Sequence, residues 1–152
     1  MAKETFIPVL RELARCYQAF ASYSAKHIRR LGLTPAQFDL IVTLGNTQGM
    51  NFKELGEKTL ITKGTLTGVV DRLVAKQLVR RVASPSDGRS QTVQLTAAGE
   101  SLFVRIFPAH VAYVRAAFAE LDAAELQQAE TTLQQLRSAF AKAGEQPHSP
   151  TP

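Results

Sequence analysis

A mainly α fold, a winged helix-turn-helix carried between all-helical chain ends, is predicted by three features of the 152-residue sequence. Residues 51–76 hold two short helical patterns joined by Leu60, Ile61 and Thr62. Residues 78–95 then hold two short strand patterns around an Asp-Gly turn, which makes a two-stranded wing. Long stretches of helical periodicity flank this unit on both sides.

In chain order, Ile7, Leu10, Leu13, Ala14, Tyr17, Ala21, Ser24, Ile28 and Leu31 follow helical spacing. They predict a first helix over residues 5–31, with Pro8 in its first turn and Gly32 as its stop. Thr34-Pro35-Ala36-Gln37 places an N-cap, a helix-starting proline and a capping-box Gln in register, opening a second helix to about Thr47. Phe38, Ile41, Val42 and Leu44 give it an apolar face. Asn51 with Glu54 makes a similar start for a third helix ending near Thr59. Thr62 caps a fourth over residues 63–76, whose Leu66, Val69, Val70, Leu73 and Val74 form a core stripe.

Residues 78–82 and Gln91–Leu95 are the strands, the second alternating polar and apolar. Thr96 should cap a fifth helix to about Glu120, interrupted and kinked at Pro108. Asp122 and Glu125 should cap a sixth to about Ala143. Residues 144–152 are expected to be disordered.

The side of the fourth helix opposite its core stripe carries Lys63, Thr65, Thr67, Gly68, Asp71, Arg72 and Lys76. Its first two turns are small and hydroxylated, as a helix must be to lie in a major groove roughly 12 Å wide while polar groups and cations reach bases and phosphates. Alone, such a surface reads more readily as a solvated helix face. The hairpin beside it turns the reading toward DNA, because Arg89 stands at the tip of the wing (residues 84–90) and Arg80 and Arg81 at its base. Such cations reach a minor groove or hold a phosphate. Asp87, next to Gly88, either orients Arg89 or is simply a turn former.

Charge follows the same division. Residues 1–50 carry six Lys/Arg against three Asp/Glu, residues 51–92 eight against four, and residues 93–152 four against six. The basic excess tracks the proposed head and spares the C-terminal helices. No apolar run approaches the roughly 20 residues of a membrane span, and the charged N-terminus lacks a signal-peptide core, so a cytoplasmic protein without membrane association is expected. A single cysteine forms no internal disulfide. His27, His110 and His148 are widely separated, so no metal site is expected. Phosphate-binding glycine loops, nucleophile elbows and metal-binding His pairs are missing, which argues against an enzyme and against a cofactor.

Several segments together resemble the MarR family of winged helix-turn-helix transcriptional regulators. They are LTPAQFDLIVTL at residues 33–44, ELGEK at 54–58, GTLTGVVDRL at 64–73, and SDGRS leading into LTAAG at 86–99. The similarity covers about residues 5 to 142, and it is the order and spacing of these pieces that makes it specific. The resemblance implies that Lys63, Thr65, Thr67, Gly68 and Arg72 enter the major groove, while Arg89 reaches the minor groove with Asp87 orienting it. The family commonly has Gly where this chain has Gln77; Gln there implies a small strain or a different helix end.

The terminal helices carry more apolar surface than one small head can cover, so a homodimer is expected, with two recognition helices about 34 Å apart on an imperfect palindrome of double-stranded DNA. The resemblance implies the same pairing. It divides the chain into an N-terminal dimerisation helix (1–33), a DNA-binding domain (34–98), C-terminal dimerisation helices (99–143) and a tail. It also implies repression, and a small aromatic or anionic effector in a crevice for which Tyr17, Phe20, Tyr23, His27 and Phe38, with His110, are candidates; plain core is the competing reading of those aromatics.

One branch of the family senses peroxides through a thiol near the start of the first helix. Cys16 falls well over a turn further along, and Pro35 and Phe38 stand where that branch has tyrosines, so an inert core thiol is the simpler expectation beside redox sensing. A protein-interaction module that kept the fold without specific DNA binding is the other alternative.

Overall fold

The computed structural model describes residues 4–84 and 89–146. Among them are six α-helices and one three-stranded antiparallel sheet: α1 (Ile7–Arg30), α2 (Pro35–Leu44), β1 (Met50–Asn51), α3 (Phe52–Lys58), α4 (Lys63–Ala75), β2 (Val79–Ala83), β3 (Gln91–Leu95), α5 (Ala97–Arg115) and α6 (Ala123–Glu145). The chain divides into two compact units, Met1–Val114 and Arg115–Pro152.

In the first unit the strand order is β1-β3-β2, with Val79 opposite Leu95, Arg81 opposite Val93 and Met50 also opposite Val93. β2 and β3 are the expected wing strands; β1 is an addition, too short to show period-two patterning. Leu40, Ile41, Leu44, Leu55, Val70, Leu73, Val79, Val93 and Ile106 are almost wholly shielded from solvent and join α2, α3, α4, the sheet and α5 in one core. Each such aliphatic side chain contributes about 1.5–3 kcal/mol relative to exposure. Of α1, only Ser24 and Ile28 are buried.

The helix starts follow the sequence closely. The Thr34 hydroxyl accepts from the Gln37 N–H at 3.2 Å, and the Gln37 side-chain carbonyl accepts from the Thr34 N–H at 3.1 Å. Asp122 and Glu125 form the same reciprocal box on α6. At α3 only half is made: Asn51 Oδ1 accepts from the Glu54 N–H, while the Asn51 backbone is engaged with Thr92 across the sheet. Thr62 occupies the N-cap of α4, but its hydroxyl pairs with that of Thr65 at 3.0 Å instead of capping a backbone N–H.

Three helix bounds differ from expectation. α2 stops at Leu44, three residues early, because Gly45 turns extended and the Thr47 hydroxyl donates to the Leu44 carbonyl. α5 runs unbroken through Pro108, so the expected interruption is absent; the proline removes one backbone donor, and the helix yields only after Arg115, to a short 3-10 turn at Ala116–Phe118. α6 continues through Gly144 and Glu145, which were expected in the tail, and residues 147–152 lie outside the described residues. Among the described residues no single helix is long and apolar enough to cross a membrane.

Candidate nucleic-acid interface

α4 divides cleanly into two faces. Leu66, Val69, Val70 and Leu73 are buried and Val74 packs against them, while Lys63, Gly64, Thr65, Thr67, Gly68, Asp71 and Arg72 are exposed. A Cβ added at Gly64 or Gly68 would meet no atom of the described residues within 4 Å, so none of them fills the space above these two glycines.

Contacts from four directions hold the helix. At its start, Asp39 on α2 accepts the Leu60 N–H at 2.8 Å and so fixes the turn between α3 and α4. Midway, the Arg81 guanidinium on β2 donates to the Asp71 carboxylate. At its end, Gln77 takes a left-handed φ of 60°, the Gln77 N–H donates to the Val74 carbonyl and the Leu78 N–H to the Leu73 carbonyl. This is a Schellman ending with Gln in the position glycine favours, so of the two alternatives the small strain is the one realised. The Thr96 hydroxyl then donates to the Gln77 carbonyl at 2.7 Å and accepts from the Gly99 N–H at 3.1 Å, tying the end of α4 to the start of α5.

The two arginines at the wing base separate. Arg80 is exposed and its Nε donates to the Gln94 side-chain carbonyl at 3.2 Å. Arg81 is engaged on the helix side of the sheet and also lies 5.7 Å from the Phe52 ring centroid. The sequence offered no sign of the Arg81–Asp71 pair, because ten residues separate partners on different elements. Arg89 is exposed and interacts within the chain. Asp87 and Gly88 lie outside the described residues, and with them the expected orientation of Arg89 by Asp87.

The aromatic candidates divide as well. Tyr23, His27 and Phe38 come together with His110 and with Tyr113, which sequence reasoning missed. Tyr23 stacks on Tyr113 at 4.4 Å and His27 on Tyr113 at 4.5 Å, and Phe38 meets His110 tilted at 4.6 Å. Each tyrosine hydroxyl donates to the other's backbone carbonyl, at 2.9 and 3.1 Å. His110 is buried, with Nε2 3.0 Å from the Ser24 hydroxyl and Nδ1 3.0 Å from His27 Nδ1. Burial, and then the charge of His27, push the His110 pKa below its usual 6.5. Burial, and then the charge and hydrogen bond of Tyr113, raise that of Tyr23. The spacing of Tyr23 and His27 on α1, and of His110 and Tyr113 on α5, was the available signal. Tyr17 and Phe20 stay exposed on α1, and so does Cys16, which is not the core thiol expected.

The sequence and the fold are similar to those of known proteins. The MarR family model matches residues 31–90. The transcriptional regulator MhqR of Bacillus subtilis is 36% identical over 102 residues, covering 67% of this chain and 70% of that protein. A crystal structure of a MarR mutant from Escherichia coli complexed with operator DNA superposes with a TM-score of 0.77 at 25% identity, covering 88% of this chain and 99% of that one. BpsR of Bordetella bronchiseptica, whose structure is described as explaining regulation of its DNA binding by 6-hydroxynicotinic acid, has a TM-score of 0.76 at 27% identity, covering 86% and 98%. These relatives are regulators and not enzymes. The chain belongs to the MarR family and is a DNA-binding transcriptional regulator.

Proposed function

We propose that the chain works as a homodimeric, ligand-responsive repressor that reads a pseudo-palindromic operator in the cytoplasm. The observation that carries this reading is the exposed face of α4, where Lys63, Thr65, Thr67, Gly68 and Arg72 stand over a buried stripe with open space above the glycines. In the proposal α4 enters the major groove, and the wing reaches the adjacent minor groove through Arg89, held by Asp87 beside Gly88. A dimer on promoter DNA excludes polymerase from the sites it covers, which makes repression the default outcome.

Dimerisation is supported by what the chain leaves exposed. Phe6, Ile7, Val9, Leu10, Tyr17 and Phe20 on or beside α1 face solvent, as do Leu126, Leu133 and Phe140 on α6. Residues 1–33 and 99–143 are the proposed dimerisation regions, and residues 34–98 the DNA-binding domain. A small aromatic or anionic effector is supported by BpsR, whose regulator is an aromatic acid. The proposed crevice lies by Tyr17, Phe20, Tyr23, His27 and Phe38.

The test is a fluorescence-anisotropy titration against the DNA upstream of the chain's own gene at several salt concentrations. A regulator making about 6 to 10 phosphate contacts loses about three to five decades of affinity between roughly 50 and 200 mM salt. Tight, steeply salt-dependent binding that prefers this DNA to a scrambled duplex is the expected result. Weak, sequence-indifferent binding there and in a genome-wide selection of bound fragments would favour a protein-interaction module instead.

A further inference from the structure

We propose that Arg81 is a positioning residue, which sets the recognition helix against the wing and does not itself hold a DNA phosphate. The inference rests on the reading that α4 enters the major groove. Three observations carry it. First, Arg81 shares its side of β2 with Val79, which is in the core, so its side chain is directed at the helices; Arg80, one residue back, lies on the other side with Gln94. Second, the single guanidinium touches both helices of the helix-turn-helix, donating to Asp71 on α4 and lying over the ring of Phe52 at the start of α3. Only a planar cation can offer an edge to a carboxylate and a face to an aromatic ring at once. Third, Phe52 is half-buried against the core, so the guanidinium is braced from a fixed point.

The pairing also has an electrostatic consequence. Asp71 lies one helical turn beyond Thr67 and Gly68, on the face proposed to meet DNA. An unpaired carboxylate there would repel phosphate; paired with Arg81, it leaves Lys63 and Arg72 to set the sign of that surface. An exposed ion pair adds little to folding stability, so its effect should be read in the orientation of α4.

The experiment compares Arg81→Ala with the unaltered chain on a duplex obtained by selection of bound fragments and on a scrambled duplex, across a salt series. It is joined to amide hydrogen exchange on the free proteins. For a positioning residue, affinity for the selected duplex falls about tenfold, affinity for the scrambled duplex and the salt slope stay as they were, and amides of α4 exchange faster than in the unaltered chain. A phosphate ligand would instead lower both affinities together and flatten the slope by about one unit, which overturns the proposal. Unchanged affinity with unchanged exchange overturns it too, making Arg81 a bystander. If the unaltered chain showed no preference between the duplexes, the DNA reading would fail first, and unchanged α4 exchange in Arg81→Ala would then refute the clamp separately.

Discussion

α4 and α6 are both amphipathic helices with leucine-rich stripes, yet they solve the hydrophobic problem in opposite ways. α4 buries Leu66, Val69, Val70 and Leu73 inside its own chain, whereas α6, ten residues longer, buries none of its residues there. Leu133 and Phe140 remain about half exposed, at 54% and 53%. The stability of α4 is therefore a property of the chain, and that of α6 is offered to something else. A groove of about 440 Å³ along α6, with Phe118, Leu126, Ala129 and Leu133 as its apolar wall, has the character of half an interface.

The largest expected effect tests that contrast directly. Leu73→Ala should cost about 2–5 kcal/mol in urea unfolding, by the same amount at every protein concentration, because it opens a cavity in the chain's own core. Leu133→Ala should leave the concentration-independent part of stability unchanged and, if α6 pairs with a second copy as proposed, lower the melting temperature most at high protein concentration. An equal, concentration-independent loss for both variants would sink the distinction. Next in size is Gly99→Ala, since a Cβ there would come 2.0 Å from the Leu78 carbonyl oxygen, a backbone atom that cannot swing aside. About 1–3 kcal/mol of destabilisation is expected, measured by the same melts.

How far these features were legible depended on whether their causes are local. The caps at Thr34 and Asp122 and the stripe on α4 each arise from residues within a few positions of one another, and each was readable. β1 was not, because two residues carry no period and pair only through the sheet. The cluster of His27, His110, Tyr23 and Tyr113 depends on α1 meeting α5 across more than eighty residues, so Tyr23, His27 and His110 could be proposed singly, Tyr113 was missed, and the four could not be assembled. The same holds for Arg81 and Asp71. Pro108 misled for a different reason: an α-helix supported on its core side by Phe103 and Ile106 tolerates the loss of one backbone hydrogen bond.

A smaller effect should appear as pH dependence within the first unit. His110 and His27 share a hydrogen bond between two Nδ1 atoms, so one ring must donate and the other accept, and protonating both breaks it. Because the folded-state pKa of His110 is lowered, the unfolded chain binds the proton more readily; the stabilisation is complete above 6.5 and is lost as pH falls through the lowered value. Urea midpoints should therefore decline as pH falls below 6.5, and His110→Gln should flatten that decline. A slope unaffected by His110→Gln would place the titrating group elsewhere. Gln77→Gly should raise stability by about 1 kcal/mol, since it relieves a left-handed residue with a Cβ. Gly32, at the same place in the same motif after α1, already takes that conformation without the cost.

The finest test turns α4's two faces against each other. Gly68 lies in the interior of the helix, where alanine is favoured by up to about 1 kcal/mol, and the added methyl would meet no atom of the described residues within 4 Å. Folding alone therefore gives no reason for glycine at this position, and Gly68→Ala should stabilise the free protein slightly in urea melts. If the space above Gly68 is where the helix approaches a base edge, the same methyl should weaken binding to a selected operator while leaving affinity for scrambled DNA unchanged. The two effects have opposite signs on one substitution, so a variant that melts higher and binds less tightly would identify Gly68 as a residue kept for its contact with DNA. Higher melting with undiminished specific binding would instead move the reading surface away from the second turn of α4, toward Lys63 and Thr65 at its start.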